Sequence, residues 1–318
     1  MSDLTVAICT YQRPTILART LESLAAGQVP DVDWDLLIVD NDGDERVRQI
    51  AQSFRDKLPI RYAHEPEVGI ARARNCAVRL TDASVILFAD DDVLFDPGWL
   101  CAMAAAVRDH PQCAIWGGRI KLDWPVERPR WFDVDRCPML GDSVVHYDLG
   151  DRSRAWRPGE DPEFYTCNLA LRTDAIRDAG MFDVALGHQG HRRGGGEDSW
   201  MVRAITGGGG QAWYVADGLL NHPVPTERLS RKYARTFAWS QGRVGTEMLS
   251  REQADRKPPR WMYRRAFEQF CRGCMNWCSG SLRRDHGLAF AGQFNSVYGF
   301  SRIWHGLTRR RGPGKDDD

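Results

Sequence analysis

Short apolar runs rich in β-branched residues alternate with stretches of helical spacing over the first two hundred residues, and this constrains the fold most. LTVAICTY (4–11) is a buried strand, and Arg13-Pro14 opens a helix with apolar positions Ile16, Leu17, Thr20, Leu21 and Leu24. DLLIVDN (35–41), IRYAHE (60–65), SVILFADDD (84–92) and AIWGGRI (114–120) are the next strands. Between them lie a helix marked by Val47, Ile50, Ala51 and Phe54, the helix GIARARNCAVRL (69–80), and one starting near Pro97. Repeated β-α-β units predict an α/β fold: a mostly parallel central sheet flanked by helices on both faces. After an irregular stretch from 121 to about 162, FYTCNLALR (164–172) is a strand, followed by a short helix from Thr173 to Ala179. A glycine-rich segment (187–196) precedes a helix at EDSWMVRAI, which Gly207 to Gly210 terminate, and QAWYVAD (211–217) is the last strand.

In an open parallel sheet, ligands sit beyond the carboxyl ends of the strands. Two of these strands end in acids: Asp40 after LLIV, and Asp90, Asp91 and Asp92 after VILFA. Adjacent carboxylates beside an apolar strand are costly unless a cation compensates them. A D-x-D at a strand end suits a hard divalent ion held between protein and a diphosphate; an acidic turn capping the next helix is the plainer alternative. Asp40 can accept hydrogen bonds from a base or ribose, or shape the turn DNDGD. Arg72, Arg74 and Asn75 stand near a helix start where a phosphate can be met. Glu197 and Asp198 can serve as acid–base groups facing a cleft, or simply complement a helix dipole. There is no G-x-x-x-x-G-K phosphate loop and no G-x-S-x-G elbow, and GGGG at 207–210 closes a helix instead of opening one.

The ordered set VAICTYQRP, LLIVDN, GIARARN, FADDDV, CNLALRTDAIRDAGMFD and GGGEDSWMVR resembles the family 2 glycosyltransferases, the inverting GT-A type, over roughly residues 4 to 225. The likeness is to bacterial enzymes that assemble surface polysaccharide. It implies transfer of a sugar from a nucleotide-diphosphate-sugar donor to a hydroxyl of a glycan or lipid-linked glycan, with Mg²⁺ or Mn²⁺ as cofactor. By residue it implies that Thr10, Tyr11, Arg13, Asp40, Arg74, Asn75, Asp90 and Asp91 bind the donor. Asn168 and Trp200 lie near sugar or acceptor, Asp92 holds the metal with Asp90 and His222, and Asp198, with Glu197 beside it, is the catalytic base. His188 and His191 fall in the glycine-rich loop, as exposed side chains or ligands. A sugar-nucleotide nucleotidyltransferase and a non-catalytic sugar-nucleotide or glycan-binding subunit are the rival readings.

The domain layout expected is a catalytic domain at 1–225, with nucleotide-sugar binding in about 1–120 and the acceptor side in about 121–225. A basic helical extension follows at 226–318. Charge supports the split: Lys+Arg and Asp+Glu are equal at 43 each, yet residues 226–318 carry 19 basic against 9 acidic side chains. In this extension Leu229, Tyr233, Phe237, Val244 and Met248 form one apolar face. Phe267, Phe270, Cys271, Cys274, Trp277 and Cys278 form a second, flanked by Arg264, Arg265 and Arg272. Spacing of 3 and 7 between the cysteines fits a helical stripe packed in a core better than metal ligation. Two destinations suit these stripes: packing on the catalytic domain or a second subunit in a homodimer, or an anionic membrane surface. No nucleic-acid motif accompanies the charge. Nine scattered cysteines, no spanning run of apolar residues and no basic-then-apolar leader point to a reducing, cytoplasmic setting. The basic extension, together with the lipid-linked acceptors that the resemblance implies, would suit peripheral attachment to the cytoplasmic face of the inner membrane.

Overall fold

The computed structural model describes residues 3–187, 194–253 and 257–308. The chain divides into two compact units: residues 1–123 with 145–224, and residues 124–144 with 225–318. The segment 124–144 groups with the helical unit, where its Trp131 and Phe132 are buried and Trp131 packs on Phe290.

In the first unit, β1 (Leu4–Thr10), β2 (Trp34–Asp40), β3 (Ile60–His64) and β4 (Val85–Asp90) lie in the order β3-β2-β1-β4, all parallel. The connecting helices are α1 (Pro14–Ala25), α2 (Glu45–Ser53) and α3 (Ile70–Leu80). Every residue of β1 is buried, as an unbroken apolar run on a two-faced sheet requires. Pro14 occupies the start of α1, where its missing N–H costs nothing, and the Asp44 carboxylate caps α2 by accepting from the Arg46 N–H.

Beyond β4 the chain makes the two-residue strand β5 (Leu94–Phe95), helix α4 (Trp99–Asp109) and the long strand β6 (Cys113–Asp123). A single turn, α5 (Met139–Asp142), falls in the segment of the second unit, and β7 (Arg154–Ala155) returns to the first. There follow β8 (Asn168–Arg172), α6 (Thr173–Asp178), α7 (Glu197–Gly207) and β9 (Gln211–Pro223). β8 sits between β4 and β6, antiparallel to both, while β6 and β9 pair in parallel. The parallel core is therefore interrupted by one reversed strand, which an irregular excursion reaches without a helical crossover. Phe88, Trp99, Trp116, Phe164 and Tyr214 are fully buried in this unit.

The second unit holds α8 (Arg231–Arg251), α9 (Arg260–Leu282) and α10 (His286–Thr308). Val244 and Met248 of α8 are buried, as their spacing predicts. The stripe on α9 is not: Phe267 is 59% and Trp277 45% exposed, and Cys278 is exposed. The core packing expected of it goes instead to Met262, Ala266, Gly273 and Gly280. All nine cysteines are free thiols. No helix among the described residues is long and apolar enough to cross a membrane.

Candidate active site

The carboxyl ends of β1 and β4 lie side by side, with Cys9 opposite Asp90. Backbone alternation then sorts the three aspartates. Asp91 turns inward, where the Thr10 hydroxyl donates to it at 2.6 Å and Arg13 at 3.3 Å. Burial, then the neighbouring charge of Asp92, pushes its carboxyl up to about 7. Asp91 thus braces the two strand ends. Thr20 in α1 secures the same turn by donating to the carbonyls of Asp91 and Val93. Arg13 also reaches Asp92 at 3.2 Å and is itself exposed, following a Gln12 held at φ 55.

Asp92 Oδ1 stands 3.7 Å from Nε2 of His222, a residue buried at the end of β9. That separation is too long for a hydrogen bond, and the pair is one carboxylate and one imidazole facing each other. Among the described residues no three His, Cys, Asp or Glu side chains cluster closely enough to hold a metal alone. Two protein donors that leave the remaining positions to diphosphate oxygens and water fit Mg²⁺ or Mn²⁺. Asp90 faces a different partner. Its Oδ1 lies 3.7 Å from Arg74, and burial raises its carboxyl to about 6 against the opposing pull of that guanidinium.

Arg74 connects the two acidic clusters. Buried on α3, it donates to Glu197 Oε1 at 2.7 Å, at the first turn of α7, while its other nitrogen faces Asp90. Its pKa is raised by Glu197 and Asp90, against desolvation, which is the largest influence and lowers it. Glu197 is buried, so Arg74 fixes it as a positioning group; its Oε2 has no hydrogen-bond partner among the described residues. Asp198, the next residue, is partly exposed. Desolvation, then the charge of Glu197, pushes its carboxyl up to about 7. Gly196 precedes this turn at φ 86, a left-handed conformation that lets the chain enter α7 with both acids on its first turn.

Asp40, Asn75 and Asn168 also hold groups of the protein itself. Asp40 is fully buried and accepts from the Asp42 and Gly43 amides and from the Tyr62 hydroxyl at 2.8 Å, so it shapes the turn, and Asp42 is the more accessible acid there. Asn75 exchanges both hydrogen bonds with the Phe182 backbone at 2.8 Å. Asn168 accepts from the Trp99 indole and donates to the carbonyls of Arg119 and Gly218, pinning β8 to β6 and β9. Gly118 makes that pin possible, because a Cβ there would collide with the Asn168 amide and the Gly218 carbonyl. Tyr11 and Trp200 are partly exposed, and His188 and His191 lie outside the described residues.

Tyr62, Asn41 and Thr20 were not singled out from sequence. Asn41 accepts from the Gly69 amide and donates to the Glu65 and Glu67 carbonyls, which sets the start of α3 and hence Arg74. The signal for Tyr62 is register: with Asp40 opposite His64, the period of two puts Tyr62 on the same face as Asp40.

Residues 5–180 match the model of glycosyl transferase family 2. The chain belongs to that family. It is a glycosyltransferase, and the nucleotidyltransferase and non-catalytic readings are set aside. It is 28% identical over 309 residues to the succinoglycan biosynthesis protein ExoM of Rhizobium meliloti (strain 1021), with 94% of each chain covered. It is 33% identical over 239 residues to validoxylamine A glucosyltransferase of Streptomyces hygroscopicus subsp. limoneus, covering 63% of this chain and 51% of that protein. Among solved structures, it resembles the mannosyltransferase PcManGT from Pyrobaculum calidifontis in complex with GDP-Man and Mn²⁺ (TM-score 0.57, 17% identity, covering 98% of this chain and 77% of that one). Staphylococcus aureus TarS 1–349 gives a TM-score of 0.54 at 14% identity, covering 92% and 90%. At these identities the structures establish the GT-A fold alone.

Proposed function

We propose that this glycosyltransferase moves a sugar, with inversion, from a nucleotide-diphosphate donor to a hydroxyl of a glycan or lipid-linked glycan in bacterial surface polysaccharide synthesis. The observation that carries the chemistry is the pairing of two adjacent acids with opposite fates: Glu197 locked on Arg74, and Asp198 partly exposed with its carboxyl near 7. A base working near neutral pH needs such a value. The acceptor oxygen attacks the anomeric carbon, the bond from that carbon to the diphosphate oxygen breaks, and the acceptor proton passes to the Asp198 carboxylate. The diphosphate leaves with the bonding electrons, and the exposed guanidinium of Arg13 is placed to meet its charge. Asp92 and His222 would hold Mg²⁺ or Mn²⁺, which when bound neutralises phosphate charge. Asp90 and Arg74 would orient the sugar side of the donor. The likeness to ExoM over nearly the whole chain supports the polysaccharide setting.

Asp198→Asn tests the base. Transfer should fall by roughly 10²–10⁴-fold while the protein stays folded, and near-normal transfer by a folded variant would remove the assignment. The wild-type rate should rise with pH through about 7, because the reactive form is the carboxylate, and the variant's residual rate should lose that rise. A carboxyl raised in the native state holds a proton that the unfolded chain releases from about pH 4 upward, so native stability declines through that window. Asn removes the share of this dependence that belongs to Asp198 while Asp90 and Asp91 keep theirs, so the gap between melting temperatures at pH 5 and 8 should narrow in the variant. In the same assay, excess EDTA should stop transfer; full activity under chelation would dismiss the metal role.

A further inference from the structure

In the second unit, α9 and α10 meet along a seam of small residues while several large apolar side chains point outward. Where α9 meets α10, a Cβ on Gly273 would lie 2.6 Å from the Ser296 amide nitrogen, and one on Gly299 2.6 Å from the Ala266 carbonyl. Gly280 faces Ala289, and Gly292 faces the backbone of Trp277 and Gly273. The two backbones therefore touch along an antiparallel seam. Met262 of α9 and Phe290 and Phe294 of α10 are buried, but other large side chains of both helices are not. Phe270 of α9 meets Phe300 of α10 at 6.2 Å between ring centres, and Phe300 meets Trp304 at 6.4 Å. With Phe267 and Trp277 on α9 and Leu307 on α10, they form a face whose side chains are largely exposed. Water offers no reward for this arrangement, whereas small seams with large outward side chains are how helices associate when apolar lipid surrounds them.

We propose that this face of α9 and α10 is a docking surface for an anionic membrane, the helices lying in its interface. The identity of the occupant rests on charge and composition. Residues 257–308 hold eight Lys or Arg against two acids, and both acids are paired, Glu268 facing Arg264 at 3.7 Å and Asp285 accepting from Arg136. Arg283 and Arg284 are exposed at the hairpin between the helices. Trp and Phe beside an excess of arginine over acid suit the boundary between headgroups and acyl chains. No described helix is apolar enough to cross a bilayer, which leaves lying on it. The proposal deepens the reading of the chain as a glycosyltransferase of surface polysaccharide, since it would hold the enzyme where lipid-linked acceptors are found.

Vesicle flotation of the full chain tests it, with pure phosphatidylcholine and with phosphatidylcholine containing phosphatidylglycerol. The protein should float with the anionic vesicles at low salt and less so as salt rises. A Phe267→Glu/Trp304→Glu double variant should lose about tenfold or more of its partitioning. Should that variant melt early, Arg283→Gln and Arg284→Gln, at exposed positions, should each weaken binding about fivefold. Absence of flotation by folded protein at low salt would overturn the proposal. So would a dimer in sedimentation that the double variant converts to monomer, which would assign the face to a second copy. Donor turnover with a water-soluble acceptor is measured on the same preparations. Turnover that survives in the non-floating variant keeps the glycosyltransferase reading independent of the membrane one.

Discussion

The sheet of the first unit and the α9–α10 pair of the second solve the same packing problem in opposite ways. In the sheet, bulk is placed inside: Phe88, Trp99, Trp116 and Tyr214 are fully buried between strands and covering helices. Along the α9–α10 seam, bulk is excluded, and contact is made by Gly273, Gly280, Gly292 and Gly299. The second unit still has a conventional core, with Phe132, Phe290 and Phe294 buried, so the inversion is confined to one seam and the face behind it. Burying large apolar side chains removes surface from water and stabilises by area. Close backbone contact gains dispersion and releases the large side chains for another partner. The first arrangement makes a packed platform for the carboxylates at its strand ends; the second makes a surface.

The comparison breaks most easily at Phe88. Its ring meets Phe182 edge-on at 5.4 Å, and Phe182 in turn holds Asn75 through both backbone groups and lies 5.8 Å from the Arg74 guanidinium. Phe88→Ala should cost about 3–5 kcal/mol in chemical denaturation. It should also lower transfer activity, because the cavity sits under the residue that connects Asp90 to Glu197. A loss below about 1 kcal/mol would mean that bulk in the sheet is not what holds this unit together.

Much of this platform was legible in the sequence for a simple physical reason. Strands buried on both faces are continuous apolar runs, and a carboxylate at the end of such a run is conspicuous. LTVAICT, DLLIVD and VILFAD all appear as strands, the last two with Asp40 and Asp90 at their carboxyl ends. The finer roles were not legible. Whether Asp90, Asp91 or Asp92 faces inward depends on where the strand stops, and a shift of one residue exchanges their environments. The amides of Asn75 and Asn168 bond groups more than 40 residues away, the Phe182 backbone for one and the Trp99 indole with the Arg119 and Gly218 carbonyls for the other, which spacing does not show. On α9, the spacing of Phe267, Phe270, Trp277 and the cysteines correctly marks a helical face. Spacing alone does not say whether a face looks inward or outward. The glycines at 273 and 280 carry that information, because only residues without side chains permit the backbone approach that turns the aromatic face away.

Gly292 is the next place to strain the comparison. A Cβ there would overlap the Trp277 amide nitrogen and stand 2.6 Å from the Gly273 carbonyl, which is backbone and cannot swing aside. Gly292→Val should therefore destabilise the second unit by about 1–3 kcal/mol, through overpacking and not through a lost contact. The gain in helix propensity from leaving glycine offsets only part of this, since Val is a modest helix former. The two terms separate at an open glycine: Gly207, with nothing near its would-be Cβ, should tolerate Ala without loss of melting temperature. If Gly292→Val were equally harmless, the seam would be loose and the outward aromatics would need another explanation.

The smallest effect is the sharpest test of which side of the helices faces water. Leu282 and Leu307 are 86% and 72% exposed, at the ends of α9 and α10. In a conventional helical unit leucines at helical spacing are core, and replacing one with a polar residue costs several kcal/mol. Here Leu282→Ser and Leu307→Ser should each change stability by no more than about 0.5 kcal/mol in solution, because the leucines already contact water. Thermal melting of the two single variants beside wild type checks this directly. A drop of several degrees would show that the leucines are covered in solution, by another part of the chain or a second copy. An unchanged melting temperature leaves their hydrophobicity unexplained by folding and points to a partner met only after folding is complete.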